Sequence, residues 1–275
     1  MPTTLSALLP VYAGENPDHL TEALRSLEAQ TRPAEEVVVV RDGPLTAALD
    51  QVLAAFAARL PMTVVSLPRN RGLGQALQLG LDHCRGEFVA RVDGDDISLP
   101  ERFEIQLRLM REQPEIDVTG SAIAEFVHAS SELHGVRPVP ENAEEIAAYA
   151  RRRNPLNHMT VVFRRQAVNA VGGYQHCQGF EDYHLWARML LAGCRMRNLP
   201  QVLVMARVNS GFYLRRGGLR YALRELQLQL FFVRIGFLGP HEALVNLLVR
   251  LPVRLAPGGL RSLVYRRMLR QPVPS

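Results

Sequence analysis

Short apolar segments alternate with amphipathic segments of helical length over the first hundred residues of the chain. Residues 37–40 are four consecutive valines, and short β-branched runs of this kind are typical of strands buried on both faces of a parallel sheet. Because strands that alternate with helices form βαβ units, the pattern predicts an α/β fold with a mostly parallel central sheet. The predicted strands are 5–11, 37–40, 62–67 and 88–92, and the predicted helices are 16–30, 45–60 and 70–83.

Three carboxylates in four positions, Asp93, Asp95 and Asp96, follow the fourth predicted strand directly. Like charges this close repel, so the cluster requires a bound cation or a solvated turn, and Gly94 permits the tight turn between them. Ligands of parallel sheets bind beyond the carboxyl ends of the strands, and Mg²⁺ is bound through one or two carboxylates plus substrate phosphates. The cluster therefore indicates a divalent-metal site for phosphate oxygens. A solvated acidic turn before the next helix is the alternative.

Polar residues also follow two other predicted strands, at 12–15 and at 42–44. Because the carboxyl ends of parallel strands share one edge, we expect Asp42 to line the same crevice as the acidic cluster. An ordinary turn residue is the alternative interpretation of Asp42. The glycines of residues 70–80 do not match the dinucleotide fingerprint, because the third lies six residues after the second. This stretch is either a helix start whose amides meet a phosphate or a simple turn.

The segments after the acidic cluster are less regular. Glu181 and Asp182 begin a helix that carries Trp186, and helix capping is the simplest interpretation of both acids because the macrodipole favours them there. We expect His158 to be a hydrogen-bonded structural histidine and not a ligand. The predicted elements are a helix at 100–112, a strand at 117–127, a loop or hairpin at 128–142, a helix at 144–153, a strand at 160–164 and a loop at 172–174.

Composition excludes several classes of site. The chain has no lysine, which excludes a Walker A loop and a Schiff-base lysine. Its three cysteines show no paired spacing, which argues against a disulfide framework or a zinc site and favours a reducing cytosol. The first residues lack the charged and apolar regions of a signal peptide, and no apolar stretch approaches the ~20 residues of a membrane span. We therefore expect a cytoplasmic protein.

The positive charge is concentrated in the last quarter of the chain. Residues 1–206 contain 20 Arg against 25 acidic residues, whereas residues 207–275 contain 12 Arg against 2. Predicted helices at 219–237, 241–255 and 265–270 are basic and leucine-rich, a pattern that can lie on an anionic membrane surface. Packing on the domain with arginines in solvent is the alternative. Nucleic acid is disfavoured because aliphatic and not aromatic side chains separate the arginines. We predict two domains, 1–206 and 207–275.

Six segments in order resemble glycosyltransferase family 2, whose members have the nucleotide-sugar-binding GT-A fold. The similarity extends over about residues 5–207, and two further stretches, NHMTVVFR and RRGG, resemble the branch that builds bacterial exopolysaccharides of the amylovoran type. The six segments are LLPVY, VVVVRDGP, NRGLGQALQLGL, ARVDGDDISLPERFEIQ, GGY and EDYHLWARMLLAG.

The resemblance implies a role for each matching position. Asp182 would be the catalytic base, and Asp42 would bind the nucleotide base, most often uracil in this family. Asp95 would be the direct ligand of Mg²⁺ or Mn²⁺, with Asp93 near the metal and the ribose. Many family members have two acidic residues where this chain has Arg41 and Asp42. Of these two positions, Asp42 is the one usually credited with contacting the nucleotide base. The other implied donor-binding residues are Pro10, Tyr12, Asn70, Gly74 and Arg207, and the implied acceptor-side residues are Gly173, Tyr174, Glu181 and Trp186.

The implied activity is inverting transfer of a sugar from a nucleoside-diphosphate sugar to a hydroxyl of a growing, lipid-linked exopolysaccharide or lipopolysaccharide repeat unit. The implied location is the inner face of the cytoplasmic membrane, where residues 207–275 would contact anionic lipid. In an alternative role for this segment, Arg207, Arg215 and Arg216 would close over the donor diphosphate. Transfer to a polyprenyl phosphate is a variant. An aspartate-nucleophile phosphatase is disfavoured by the position of the motif and the absence of lysine. A non-catalytic membrane-surface assembly protein is disfavoured by the retained acids.

Overall fold

The computed structural model describes residues 4–127, 133–208 and 217–256. Its first part contains four strands, β1 (Leu5–Val11), β2 (Glu36–Asp42), β3 (Met62–Leu67) and β4 (Phe88–Arg91), and three helices, α1 (Pro17–Glu28), α2 (Ala47–Ala57) and α3 (Leu73–His83). The four strands are parallel and lie in the order β3-β2-β1-β4. This arrangement confirms the predicted α/β class.

Local signals explain where these helices begin. The Asn16 side chain accepts a hydrogen bond from the Asp18 N–H at 2.8 Å, and Pro17 occupies the first helical position of α1. This cap satisfies one of the amides that a helix start leaves unpaired. The Thr46 hydroxyl caps α2 in the same way, at 3.3 Å from the Leu49 nitrogen. Both helices end two or three residues before the predicted bounds.

The second part of the sheet is mixed. It contains β5 (Ile97–Ser98), β6 (Ile116–Phe126), β7 (Leu133–Arg137), β8 (Val162–Arg164) and β9 (Arg195–Arg207), with α4 (Arg102–Glu112), α5 (Ala143–Ala150), α6 (Arg165–Ala170) and α7 (Glu181–Leu191). Beyond β4 the order is β8-β6-β9-β5. β8 is antiparallel to both β4 and β6, β9 is parallel to β6, and β5 is antiparallel to β9. The predicted parallel character therefore applies to the first four strands.

Two predictions for this region need correction and one is confirmed. β9 was not predicted, although at 13 residues it is the longest strand. β8 is shorter than the predicted 160–164 because His158–Thr160 forms a 3-10 turn. β7 pairs with the end of β6 in the predicted hairpin, of which residues 128–132 lie outside the described part of the chain.

Helices cover both faces of the sheet, which explains the continuous apolar strands. In β1, Leu9 belongs to the core under α1, α2 and α4, and Leu8 belongs to the core under α3 and α7. Phe103 anchors α4 in the first core, and Trp186 anchors α7 in the second. Because the side chains of a strand alternate between the faces, each of the four parallel strands contributes to both cores.

Two further helices, α8 (Leu219–Arg234) and α9 (Pro240–Leu255), follow the sheet. α8 packs on α7 through a third cluster, in which the rings of Tyr183 and Phe232 lie 4.8 Å apart. None of the helices in residues 4–127, 133–208 and 217–256 is long and apolar enough to cross a membrane. The predicted helix at 265–270 lies outside these ranges, and the domain boundary at 206/207 stays a prediction.

Candidate functional site

The carboxyl ends of the parallel strands form one edge of the sheet, and the predicted site residues meet there. Tyr12 follows β1, Asp42 ends β2 and Asp93 follows β4 by two positions. Tyr12 is 47% exposed, whereas Asp42 is 5% exposed. Pro10 is buried within β1 and paired with Val40 of β2, so it forms the floor of this edge.

The acidic turn, residues 93–96, brings three carboxylates together. Ligand atoms of Asp93, Asp95 and Asp96 all lie within 4.8 Å of one another. Burial, and then the charge of Asp93, raises the pKa of Asp95 to about 6, and the same causes raise the pKa of Asp96 well above its ordinary value. The guanidinium of Arg91 forms an ion pair with Asp93. Burial and the repulsion within the turn together thus raise these pKa values more than the neighbouring cations lower them.

Two buried arginines that sequence reasoning missed hold the turn from its sides. Arg102 has no exposed surface and donates hydrogen bonds to the Arg91 carbonyl at 2.8 Å and to the Ser98 hydroxyl at 2.9 Å. These two acceptors bracket the turn. Burial lowers the pKa of Arg102 to about 9. The sequence feature that could have revealed this buried support is Arg91, because it is a charged residue inside an otherwise apolar strand.

Arg207 closes the turn on its far side. Its backbone N–H donates to a carboxylate oxygen of Asp96 at 2.8 Å, and its Nε donates to the Asp95 carbonyl at 3.1 Å. The guanidinium also pairs with Glu22 and lies 4.4 Å from the centre of the Phe126 ring. The predicted donor-site residue therefore lies against the acidic turn. Arg215 and Arg216 fall outside the described residues.

The residues of the turn fit a divalent cation. Carboxylate oxygens are the hard ligands that Mg²⁺ and Mn²⁺ accept, and three of them converge here. The raised pKa of Asp95 reports a site where burial and like charge disfavour the ionised form. A bound cation reverses that balance, because it supplies the opposite charge.

Asp42 holds the loop that precedes α3 through hydrogen bonds to its backbone. Its two carboxylate oxygens accept the N–H of Arg71 at 2.6 Å and the N–H of Gly72 at 3.0 Å. The Asn70 side chain donates to the Asp42 carbonyl at 3.4 Å. Asp42 thus has the turn-forming role that the sequence left open, and it also brings Asn70 to the edge of the sheet. A carboxylate offers about four acceptor positions, so capacity for a further donor remains.

The start of α3 touches the start of α7. A Cβ on Gly74 would lie 2.9 Å from Cγ of Glu181, so only glycine allows this approach. Glu181 is buried, accepts the Gly179 N–H at 3.0 Å, and has its pKa raised by burial. Glu181 therefore acts within the protein, where it joins the two helix starts.

Asp182 is half-buried at the start of α7. One of its carboxylate oxygens accepts a hydrogen bond from the Asn154 side chain at 2.6 Å, and the other accepts the Tyr183 N–H at 2.8 Å. The residue at the cap position of α7 is Phe180, whose side chain makes no capping bond. The contact with Asn154 orients the carboxylate from outside the helix, which capping alone does not require. Sequence reasoning missed Asn154.

Tyr174 is within electrostatic range of both Asp182 and Asp93. Burial raises the pKa of its phenol, and the charges of Asp182 and Asp93 raise it further against the opposing effect of Arg91. Its hydroxyl is 3.0 Å from Nε2 of His158. Burial, and then Arg91, lowers the pKa of His158 well below its ordinary value. The neutral, hydrogen-bonded ring supports the structural interpretation of this histidine.

The remaining residues assigned to the acceptor side, Gly173, Tyr174 and Trp186, make contacts within the protein next to the site. Gly173 has a φ of 61°, and its carbonyl accepts from Arg188 at 2.7 Å. Trp186 has no exposed surface and packs in the core, so it offers no surface through which it could contact an acceptor. Tyr174 is 3% exposed. Trp186 therefore packs in the core behind the start of α7, and its assignment to the acceptor side stays a prediction.

Residues 6–180 match the protein family described as Glycosyl transferase family 2. Three curated relatives are similar over nearly their whole length. An uncharacterized glycosyltransferase of Haemophilus influenzae is 42% identical over 97% of this chain and 99% of its own. The amylovoran biosynthesis glycosyltransferase AmsE of Erwinia amylovora is 38% identical over 95% and 98%. An Escherichia coli UDP-Gal:alpha-D-GlcNAc-diphosphoundecaprenol beta-1,3-galactosyltransferase is 34% identical over 97% and 96%.

Solved structures share the fold. TarS 1-349 of S. aureus, in complex with UDP-GlcNAc, is 21% identical, with a TM-score of 0.66 over 92% of this chain and 72% of its own. The mannosyltransferase PcManGT of Pyrobaculum calidifontis, in complex with GDP-Man and Mn²⁺, is 18% identical, with a TM-score of 0.65 over 96% and 75%. At these identities the likeness establishes the nucleotide-sugar-binding GT-A fold and nothing finer.

Proposed function

The chain belongs to glycosyltransferase family 2, and on that premise we propose that it transfers a sugar from a UDP-sugar, with inversion, to a lipid-linked saccharide. The observation that carries the proposal is the acidic turn, with three carboxylates within 4.8 Å at the carboxyl edge of the sheet. Asp182 and Asp93 both act electrostatically on the phenol of Tyr174, so the proposed base and the acidic turn lie near the same buried side chain. Direct displacement requires a diphosphate site and a base within reach of one bound sugar.

In this proposal the edge of the sheet holds the donor. Asp42 accepts a hydrogen bond from the nucleotide base through its remaining acceptor capacity, and Tyr12 offers its exposed ring beside it. Asn70 and Gly74 form the adjoining loop and helix start, and Pro10 forms the floor. Support for a UDP-sugar comes from the relative in E. coli, which carries UDP-Gal in its description, and from the UDP-GlcNAc complex of TarS.

Asp95 and Asp93 would hold Mg²⁺ or Mn²⁺ in this proposal, and Asp96 would orient the turn through Arg207. When bound, the metal supplies positive charge that neutralises the departing diphosphate. The Mn²⁺ in the PcManGT complex supports the assignment by fold analogy. Arg207 adds a fixed cation beside the same turn.

Asp182 is the proposed general base. The acceptor hydroxyl oxygen forms a bond to the anomeric carbon, the bond from that carbon to the diphosphate breaks, and the hydroxyl proton passes to the Asp182 carboxylate. Attack opposite the leaving group inverts the anomeric centre. Asn154 holds the carboxylate in place at 2.6 Å. Glu181 and Tyr174 shape the wall beside it and need not touch the acceptor.

The acceptor class is proposed from the relatives. The AmsE description names amylovoran biosynthesis, and the E. coli relative acts on alpha-D-GlcNAc-diphosphoundecaprenol. A lipid-linked acceptor places the enzyme at the inner face of the cytoplasmic membrane, as a peripheral protein. Transfer to a bare polyprenyl phosphate remains the second candidate, and it depends less on a base because a phosphate is already ionised.

The test combines transfer and binding on one pair of variants. Asp182→Asn keeps the shape but removes proton acceptance, so kcat should fall by about 10²–10⁴-fold while UDP affinity stays unchanged. Glu181→Gln is the control, because its buried side chain faces Gly179 and Gly74. Wild-type turnover in Asp182→Asn would remove Asp182 from the mechanism. Transfer to polyprenyl phosphate with little rate loss would favour the second candidate.

A further inference from the structure

The two C-terminal helices expose a row of aliphatic side chains. Leu219, Leu223 and Leu230 of α8 are 75%, 59% and 59% exposed, and they recur at spacings of four and seven residues. On α9, Leu244, Leu248 and Leu255 repeat the same spacing with 54%, 66% and 54% exposed. Residues at these spacings lie on one face of a helix. Each helix therefore carries an apolar stripe that is not used for packing within the described residues.

Contacts between the helices place both stripes on the same side. Glu225 of α8 bonds to Arg250 and Arg254 of α9, and Gln229 accepts a hydrogen bond from Asn246 at 3.2 Å, so the helices run antiparallel. The side of α8 that faces α7 carries Phe232, opposite the leucines. We call the shared surface formed by the two stripes the outer face. It points away from the body of the protein.

The charges around the outer face are of one sign. The acids of α8 and α9 are Glu225, which has no exposed surface, and Glu242, which pairs with Arg151. Arg220 and Arg234 are exposed on α8, next to the leucine stripe on the same helix. The sequence beyond residue 256 adds four arginines and no acid. An apolar stripe flanked by cations without competing acids is the surface that anionic lipid attracts.

The helix that carries half of the outer face also contacts the loop that leads into α7. The ring of Tyr221, in the first turn of α8, lies 5.1 Å from the ring of Phe180, which precedes Asp182 by two residues. Arg224 donates to the Gln178 side chain at 2.6 Å. The start of α8 is therefore fixed to the loop that leads into the proposed base. The outer face is thus joined to that loop through one helix, because Tyr221 lies on the packed side of α8 and the leucines lie on its exposed side.

We propose that the outer face of α8 and α9 docks this protein on an anionic phospholipid bilayer, with the aliphatic side chains at the acyl boundary and the flanking arginines on lipid phosphates. A second copy of the chain fits less well, because two such faces would oppose arginines with no acidic partner. The docking does not depend on the proposed function. It deepens that function by explaining how a lipid-linked acceptor is presented to Asp182.

The experiment measures partitioning of the full-length protein onto vesicles. Wild type, Leu223→Gln/Leu248→Gln and the control Val64→Gln are sedimented with phosphatidylglycerol–phosphatidylcholine vesicles and with phosphatidylcholine vesicles. Val64 is a matched control, since it is an aliphatic residue of β3 that is 45% exposed and does not belong to α8 or α9. The double variant should partition at least about tenfold more weakly than wild type, whereas the control should bind as wild type does. Arg220→Gln/Arg234→Gln should lose the preference for anionic vesicles.

Melting temperature, the transfer rate with a soluble acceptor and the oligomeric state are measured for the same variants, so that loss of folding, loss of chemistry and loss of a dimer can be told apart from loss of vesicle binding. Melting temperatures near that of the wild type show that the substitutions on the exposed face leave the fold intact. Rates with a water-soluble acceptor test the chemistry separately, so a failure of the proposed function would not affect the vesicle result. Equal binding of wild type to neutral and anionic vesicles, or unchanged binding of the double variant, would overturn the proposal. A wild-type dimer dissociated by Leu223→Gln/Leu248→Gln without vesicle binding would assign the face to a second copy.

Discussion

Glu225 offers a sharp test of what holds the C-terminal helices together. Its carboxylate has no exposed surface and pairs with both Arg250 and Arg254, whose side chains are 16% and 11% exposed. Glu225→Gln preserves the volume but removes the negative charge with which two guanidiniums pair. Breaking one partner of a buried ion pair typically costs about 3–5 kcal/mol, because the remaining charge stays desolvated.

The structure places the expected cost at the lower end of that range. Arg250 keeps its bond to the Arg152 carbonyl, and Arg254 keeps the Tyr221 ring at 4.6 Å. We therefore expect a loss of about 3 kcal/mol in the free energy of unfolding. For a protein of this size 1 kcal/mol corresponds to about 2–4 °C, so the melting temperature should fall by about 6–12 °C.

Glu28→Gln is the matched control. Glu28 pairs with Arg59 at the surface, where their side chains are 34% and 46% exposed, and exposed pairs contribute about 1 kcal/mol or less. Thermal unfolding followed by calorimetry and by circular dichroism compares both variants with wild type. If Glu225→Gln melts together with Glu28→Gln, the buried network is not what fixes α9. A new low-temperature transition would mean that residues 207–275 unfold as a separate unit, as the predicted domain boundary implies.

Three further outcomes follow from the site. Asp95→Asn should weaken Mn²⁺-dependent UDP binding by at least about tenfold without lowering metal-free stability, because a repelling charge is lost; calorimetry showing unchanged metal dependence would exclude Asp95 as a ligand. Asn154→Ala should reduce kcat by about tenfold at constant UDP affinity, since a hydrogen bond to a charged group contributes about 1.5–3 kcal/mol; an unchanged transfer rate would contradict an orienting role. Burial lowers the pKa of His184 to about 4, so its contribution to stability is complete above about pH 6.5 and declines as the pH falls toward 4. Urea titrations of wild type and His184→Gln at pH 7 and 5 should therefore show an extra wild-type loss of stability at pH 5, of at most about 2 kcal/mol and less where solvent screens the charge. Equal losses of stability in the two proteins would refute the assignment of this pH dependence to His184.

The parts of this fold that could be predicted depend on signals contained in a short stretch of chain. The four valines of β2 are apolar because both faces of the strand are covered, and that pattern is visible without any partner. The acidic turn was predictable for the same reason, since it directly follows a buried strand. Asp182 required the family resemblance, because acids at a helix start are common for electrostatic reasons alone.

The parts that were missed depend on distant partners. β9 pairs with β6, about eighty residues earlier, and its sequence mixes arginines with apolar residues around Pro200, so no strand period is evident. Arg102 is recognisable as a support of the turn only when Arg91 and Ser98 are seen to lie on either side of it. Asn154 meets Asp182 across 28 positions of sequence. These roles depend on tertiary contacts, and the local sequence preferences of a segment contain no information about such contacts.

The closure of the acidic turn by Arg207 has a consequence for biosynthesis. Asp96 and Arg207 are 111 positions apart in the sequence, and β5 is paired in the sheet with β9 across a similar sequence separation. Chains emerge from the ribosome N-terminus first, and contacts between distant segments form last. The first hundred residues can therefore assemble their parallel strands while the turn still lacks its far side. Any ligand that binds only the closed turn would therefore stabilise complete chains and not nascent ones, because binding to the native state alone shifts the folding equilibrium.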